Sequence, residues 1–128
     1  MLKQGDTFLI SSPRNEVEHL WIVLTEPDEE NQSLCVNITT AQDGSDLTVE
    51  LNKGDHPFIK HPSVVNYFDA RLMVLQDVET MIAMPHKTRV CAKDHPCEKE
   101  LLAKISKGLL ASAVTSNPAN GGHLKTGQ

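Results

Sequence analysis

The sequence is poor in aromatic residues, in cysteine and in long apolar runs. Only five of its 128 residues are Phe, Trp or Tyr, which disfavours the stacking platforms on which single-strand-binding proteins seat bases. No apolar run approaches the ~20 residues of a membrane-spanning helix, and the first apolar stretch is shorter than the roughly 7–15 residues of a secretory signal. We therefore expect no membrane association and a cytoplasmic location, where Cys35, Cys91 and Cys97 are reduced thiols.

Charge is distributed unevenly along a chain whose length suits one domain. The formal net charge is −5. Residues 1–85 hold five Lys/Arg and fourteen Asp/Glu, hence a net −9, whereas residues 86–128 hold seven and three, hence a net +4. The basic C-terminal third could present one face to phosphates. The simpler interpretation is a solvated helix face that carries lysines.

Short apolar stretches separated by turn residues are typical of a small β-barrel or sandwich. Strands are predicted at Thr7–Ile10, His19–Thr25, Leu34–Thr39 and Leu47–Leu51. Ser63–Val78 fits either one long bent strand or two shorter ones, and Thr80–Met84 is predicted as another strand. Apolar residues then recur at helical spacing, which predicts an amphipathic helix over Pro96–Ala111. The predicted fold is mainly β, a barrel domain over residues 1–112 closed by this helix, with residues 113–128 as a flexible tail.

The segment Gly54–Leu72, GDHPFIKHPSVVNYFDARL, concentrates titratable and hydrogen-bonding side chains. His56 and His61 each precede a proline, which favours extended or turn backbone. Metal-free phosphodiester cleavage needs a base, an acid and a cation to stabilise the charge that develops at phosphorus. The two histidines and Arg71 could fill these roles. The alternative is that the histidines are turn residues bonded to nearby backbone and that Arg71 pairs with an aspartate.

A second group of residues has the side chains that bind zinc. Its members are His86, Cys91, His95 and Cys97. Their spacing, H-x4-C-x3-H-x-C, matches no standard structural zinc pattern. We therefore predict neither a metal nor any other cofactor and interpret these residues as lying around the start of the helix.

The order of several short motifs resembles the MazF/PemK toxin family of the Kid/CcdB superfamily. The motifs are a Gly-Asp before the first strand (Gly5-Asp6), a His-x-x-apolar strand (His19–Thr25), a strand closing on Thr-Thr (Cys35–Thr40), a Ser-apolar strand ending near Arg (Ser63–Arg71) and a terminal amphipathic helix (Pro96–Ala111). The GDHPFIKHPSVVNY stretch is similar to one in a group of bacterial proteins of unassigned activity.

The resemblance implies a homodimeric SH3-like barrel that cuts single-stranded RNA without metal and is held by an antitoxin protein. The family's threonine corresponds to Thr39, or to Thr40 beside it. Its transition-state arginine corresponds to Leu20, so the charge would have to come from Arg14 or Arg71. Removing such a cation costs on the order of several kcal/mol of transition-state binding.

The sequence thus predicts a metal-independent endoribonuclease or a degenerate relative of one. The predicted catalytic residues are Thr39, His56, His61 and Arg71. The predicted substrate-binding residues are Arg14, His19, Thr40, Ser63 and Tyr67. The alternative function is a non-catalytic SH3-like interaction module that binds a protein or nucleic-acid partner in the same groove.

Overall fold

The core of the fold is one antiparallel sheet of six strands with two helices packed against it. A computed structural model describes residues 1–11, 18–42, 45, 47–84 and 91–116. The elements in chain order are β1 (Thr7–Ser11), β2 (Glu18–Val23), β3 (Gln32–Thr40), β4 (Glu50–Leu51), β5 (Ser63–Val74), α1 (Leu75–Ala83), β6 (Cys91–Asp94) and α2 (Lys99–Ser116).

The strands lie in the order β4-β5-β3-β2-β1-β6, so the two shortest strands form the edges of the sheet. Every pairing is antiparallel. The prediction of a mainly β, barrel-like fold is confirmed at this level. The strand predicted at Leu47–Leu51 is confined to Glu50 and Leu51, which pair with Val64 and Ser63.

Each face of the sheet buries its own apolar cluster because side chains alternate along a strand. Leu20, Ile22, Val36 and Ile38 share one cluster, which includes Ile105 of α2. The intervening positions Phe8, Trp21, Val23 and Cys35 share the other cluster with Leu75 and Val78 of α1. The two helices therefore pack on opposite faces of the sheet.

The strand predicted at Thr80–Met84 is wrong, because this stretch belongs to helix α1. The long strand also ends at Val74, and not at Val78. Asn31 fixes this ending, since its backbone carbonyl accepts the Leu75 N–H at 2.9 Å and its side-chain oxygen accepts the Gln76 N–H at 2.7 Å. A fold with one helix was expected. The described residues form two, because the apolar residues of Leu75–Ala83 recur at helical spacing.

The C-terminal helix begins at Lys99, three residues after the predicted start. The Cys97 N–H donates to the Gly5 carbonyl at 2.8 Å, which holds the residues before the helix against the chain entering β1. The helix continues to Ser116, past the predicted domain end at residue 112; residues 117–128 of the predicted tail lie outside the described residues. Neither helix in the described chain is both long and apolar enough to cross a bilayer.

Gly108 lets α2 approach the sheet closely. A Cβ at this position would lie well inside 3.0 Å of both the Tyr67 hydroxyl and a Val49 methyl group. The Tyr67 hydroxyl is held in place, because it donates to the Ile105 carbonyl at 2.7 Å.

We predict that Gly108→Ala lowers the free energy of unfolding by about 1–3 kcal/mol, the usual cost of overpacking.

Urea denaturation measures this effect, with Lys107→Ala on the exposed side of α2 as the matched control. Adding Tyr67→Phe to Gly108→Ala removes one clashing atom and should recover part of the loss. Equal stability of Gly108→Ala and the wild-type protein would contradict the close packing.

All three cysteines lie in the described chain as thiols, and two of them are buried. Burial raises the pKa of Cys35 to about 12, and burial together with the Glu98 charge raises the pKa of Cys97 to about 11. At pH 8 their thiolate fractions are then about one in ten thousand and one in a thousand.

We predict one readily alkylated thiol in the native protein, the half-buried Cys91, and three after unfolding in guanidinium chloride. Mass spectrometry of iodoacetamide-treated protein gives the count, and rapid native labelling of Cys35 would contradict its burial.

Candidate functional site

The first half of the polar segment identified in the sequence lies in the loop between β4 and β5, residues 52–62, and its second half belongs to β5. The first turn of this loop closes when the Asn52 N–H donates to the Asp55 carboxylate at 2.8 Å and the Asp55 N–H donates to the Asn52 carbonyl at 3.0 Å. Gly54 lies inside this turn with φ of +105°, a conformation that favours glycine. Further along, the buried Ile59 side chain anchors the loop to the core.

His56 is buried, at 3% exposure, and both of its ring nitrogens contact backbone. Its Nδ1 accepts the Phe58 N–H at 3.0 Å, so its Nε2 carries the proton and donates to the His95 carbonyl at 2.7 Å. These contacts match the alternative in which the histidine is a turn residue bonded to backbone. An imidazole held in this way supports the loop and has no nitrogen available for a substrate.

The His95 carbonyl joins three segments of the chain. In addition to the His56 ring, it accepts the Thr7 hydroxyl at 2.6 Å. Thr7 begins β1, His56 lies in the polar loop and His95 directly follows β6. The backbone at His95 is therefore fixed beside the loop.

A pocket of about 880 Å³ opens between this loop and the ends of β2, β3, β5 and β6. Its polar lining consists of Glu18, His19, Thr39, Thr40, Gln42, Lys60, His61, Ser63, Asp94 and His95. Its apolar lining consists of Ile38, Pro57, Phe58 and Ile59. We call it the imidazole pocket, after the rings of His19, His61 and His95.

Five of the nine predicted site residues line the imidazole pocket. They are His19, Thr39, Thr40, His61 and Ser63. The Nε2 atom of His61 lies 3.0 Å from the Thr40 hydroxyl, and the Ser63 hydroxyl donates to the His61 carbonyl at 2.9 Å. The pairing of Thr40 with Ser63 across β3 and β5 brings these residues together.

Charges of both signs line the imidazole pocket. Lys60 provides an ammonium group, and Glu18 and Asp94 provide carboxylates. Partial burial alone would raise the pKa of Asp94, but hydrogen bonds from the His95 backbone and ring, with the electrostatic interaction of His95, lower it below its ordinary value. Asp94 is therefore ionised at neutral pH.

Arg71 lies away from the imidazole pocket. It stands opposite Cys35 on β3, five residues from Thr40, which corresponds to about 16 Å along a strand. Its guanidinium pairs with the Asp69 carboxylate and lies 5.2 Å from the centroid of the Trp21 ring. The structure thus gives Arg71 the aspartate partner of the alternative interpretation and does not bring it together with His61.

Tyr67, another predicted site residue, does not line the imidazole pocket. Tyr67 is fully buried, and its hydroxyl links β5 to α2 through the Ile105 carbonyl. Arg14 lies outside the described residues. His86 of the weighed zinc group also lies outside them, and the described residues contain no cluster of three or more His, Cys, Asp or Glu arranged for a metal ion.

Sequence reasoning missed Lys60 and Asp94 as site residues and considered His95 only as a zinc ligand. The sequence carries one signal that could have found Asp94 and His95. The tripeptide Asp-His-Pro occurs at residues 55–57 and again at residues 94–96. The two histidine rings of this repeat pack edge to face with centroids 6.5 Å apart.

Compared with known proteins, the chain matches no family model and none of the curated proteins. Any function must therefore be argued from the imidazole pocket itself.

His56 and His61 should differ sharply in their effect on stability. We predict that His56→Ala lowers the free energy of unfolding by about 1–3 kcal/mol, because it empties a buried position and removes the acceptor of the Phe58 N–H. His61→Ala, at an exposed position, should change it by less than about 0.5 kcal/mol. Urea denaturation of both variants measures the difference. Equal destabilisation would show that the two rings do not have the separate roles described above.

Proposed function

We propose that this protein is a metal-independent endoribonuclease of the MazF/PemK-like type that acts in the imidazole pocket. One observation carries the proposal: three imidazoles, three hydroxyl groups and a lysine line a single open pocket. Two histidines can divide the roles of base and acid near neutral pH. This pocket also contains both threonines that the family resemblance singles out.

Cleavage begins when a base takes the proton from a ribose 2′-hydroxyl group. The 2′ oxygen then attacks phosphorus, the bond from phosphorus to the 5′ oxygen breaks, and an acid protonates that oxygen. The products are a 2′,3′-cyclic phosphate and a 5′-hydroxyl end. His61 is suited to be the acid, since its exposed ring is held by the Thr40 hydroxyl.

Lys60 is the candidate for the cation that the chemistry needs. It lines the pocket next to His61 in the chain, whereas the Arg71 guanidinium is paired elsewhere. Lysine binds phosphate as a point charge, without the bidentate geometry of arginine. In this proposal Lys60 takes the place of the arginine for which the chain has Leu20. The homodimer and the antitoxin partner stay predictions that accompany it.

The second candidate function is a non-catalytic module that binds a protein or nucleic-acid partner in the same pocket. The carboxylates of Glu18 and Asp94 favour it, because they oppose the approach of phosphate. The apolar wall formed by Phe58 and Ile59 would suit a side chain of a partner protein. This candidate requires binding without cleavage.

A labelled RNA assay separates the two functions. We predict that the protein cuts a 5′-fluorescent, 30-nucleotide single-stranded RNA of mixed sequence equally well with and without EDTA, leaving cyclic-phosphate ends. Lys60→Ala should slow cleavage by at least about tenfold, because a charged transition-state contact is lost. Lys53→Ala, an exposed lysine outside the pocket, is the matched control and should cleave at the wild-type rate.

The same RNA with 2′-O-methyl riboses cannot be cut and reports binding alone. Binding of this RNA together with an intact unmodified RNA would reject the nuclease and support the interaction module. Cleavage that stops on addition of EDTA would reject the metal-independent mechanism.

A further inference from the structure

His95 combines a fixed backbone with an exposed ring. Its carbonyl is held by the Thr7 hydroxyl and the His56 ring, at 2.6 and 2.7 Å. Its side chain is nevertheless 73% exposed and lines the imidazole pocket. A ring attached to a rigid backbone at the wall of an open pocket is well placed to meet a ligand.

The adjacent Asp94 orients this ring. One carboxylate oxygen, Oδ1, lies 3.1 Å from His95 Nδ1 and accepts the His95 backbone N–H at 2.6 Å. The Asp94 side chain is only 18% exposed, so the carboxylate is partly shielded from solvent. A carboxylate that accepts from Nδ1–H leaves the lone pair on Nε2 and stabilises the imidazolium that forms when Nε2 takes a proton.

His61 is already assigned as the acid, so His19 is the other ring of the pocket that could act as a base. It has a different partner. Its Nδ1 faces the Ile38 backbone carbonyl at 3.5 Å, a long contact with a neutral acceptor. A neutral carbonyl stabilises a developing imidazolium less than a carboxylate does. Among the three imidazoles of the pocket, His95 therefore has the contacts that suit a general base.

We propose that His95 is the general base of RNA cleavage in the imidazole pocket and that Asp94 is its positioning residue. This inference rests on the proposed function. His95 Nε2 takes the proton of the 2′-hydroxyl group while the 2′ oxygen forms its bond to phosphorus. The bond to the 5′ oxygen breaks, and protonated His61 gives its proton to that oxygen. The proton that His95 gains equals the proton that His61 loses, so a later exchange with water restores both rings.

Steady-state cleavage of the labelled single-stranded RNA tests this assignment. We expect His95→Ala to lower kcat by at least about 100-fold with KM changed by less than about threefold, because general base catalysis contributes roughly 10²–10⁴-fold. Asp94→Asn should lower kcat by at least about tenfold, because an amide at this position no longer stabilises the imidazolium. Asp55→Asn, in the other Asp-His-Pro tripeptide, is the matched control and should keep the wild-type kcat.

Added imidazole separates a missing base from a damaged fold. Imidazole at about 100 mM should restore part of the His95→Ala activity and leave the His56→Ala protein unchanged, because a small base can replace only a ring that met the substrate. A His95→Ala protein that cleaves within threefold of the wild type would overturn the role of His95 while the nuclease stands. Loss of activity in His95→Ala that added imidazole does not restore would also overturn the role of His95. A wild-type protein that binds the 2′-O-methyl RNA but never cuts the unmodified RNA would overturn both proposals.

Discussion

The candidate site depends on one carbonyl group, that of His95, which accepts hydrogen bonds from Thr7 and His56. These bonds connect β1, the polar loop and the chain leaving β6, segments that are far apart in sequence. Each of these hydrogen bonds contributes on the order of 1 kcal/mol to the stability of this arrangement. The two donors to this carbonyl therefore fix where the loop lies, and with it the position of His61. The His95 ring remains exposed because these two hydrogen bonds involve only the backbone carbonyl of His95.

The packing of the sheet explains why the pocket lies where strands end. Each face buries an apolar cluster under one helix, and those clusters take up the middle of the strands. Polar side chains can collect without being buried only where the strands end. The described lining of the imidazole pocket comes from the ends of β2, β3, β5 and β6, from the loop and from Gln42, with no residue of either helix. The sheet thus holds a group of polar and titratable side chains at an opening to solvent.

The guanidinium of Arg71 and the ammonium group of Lys60 lie in different parts of the structure. Arg71 stabilises the fold by pairing with Asp69 and packing on Trp21, whereas Lys60 carries the described positive charge at the pocket. Carboxylates share that pocket with Lys60. If Asp94 supports the base as proposed, one of these carboxylates assists catalysis instead of merely repelling the substrate.

The sequence by itself determined the mainly β fold, the first three strands and the existence of the C-terminal helix, because alternation and helical spacing depend on neighbouring residues. It also drew attention to His61, Thr39 and Thr40, since polar residues cluster where strands end. It did not distinguish α1 from a strand, because a short apolar stretch fits either period. Only the tertiary structure decided that His56 is buried, that Arg71 on β5 lies opposite Cys35, about 16 Å along the strand direction from Thr40, and that His95 joins the pocket. Those placements depend on hydrogen bonds between segments such as His56 and His95, 39 residues apart, which no local pattern encodes.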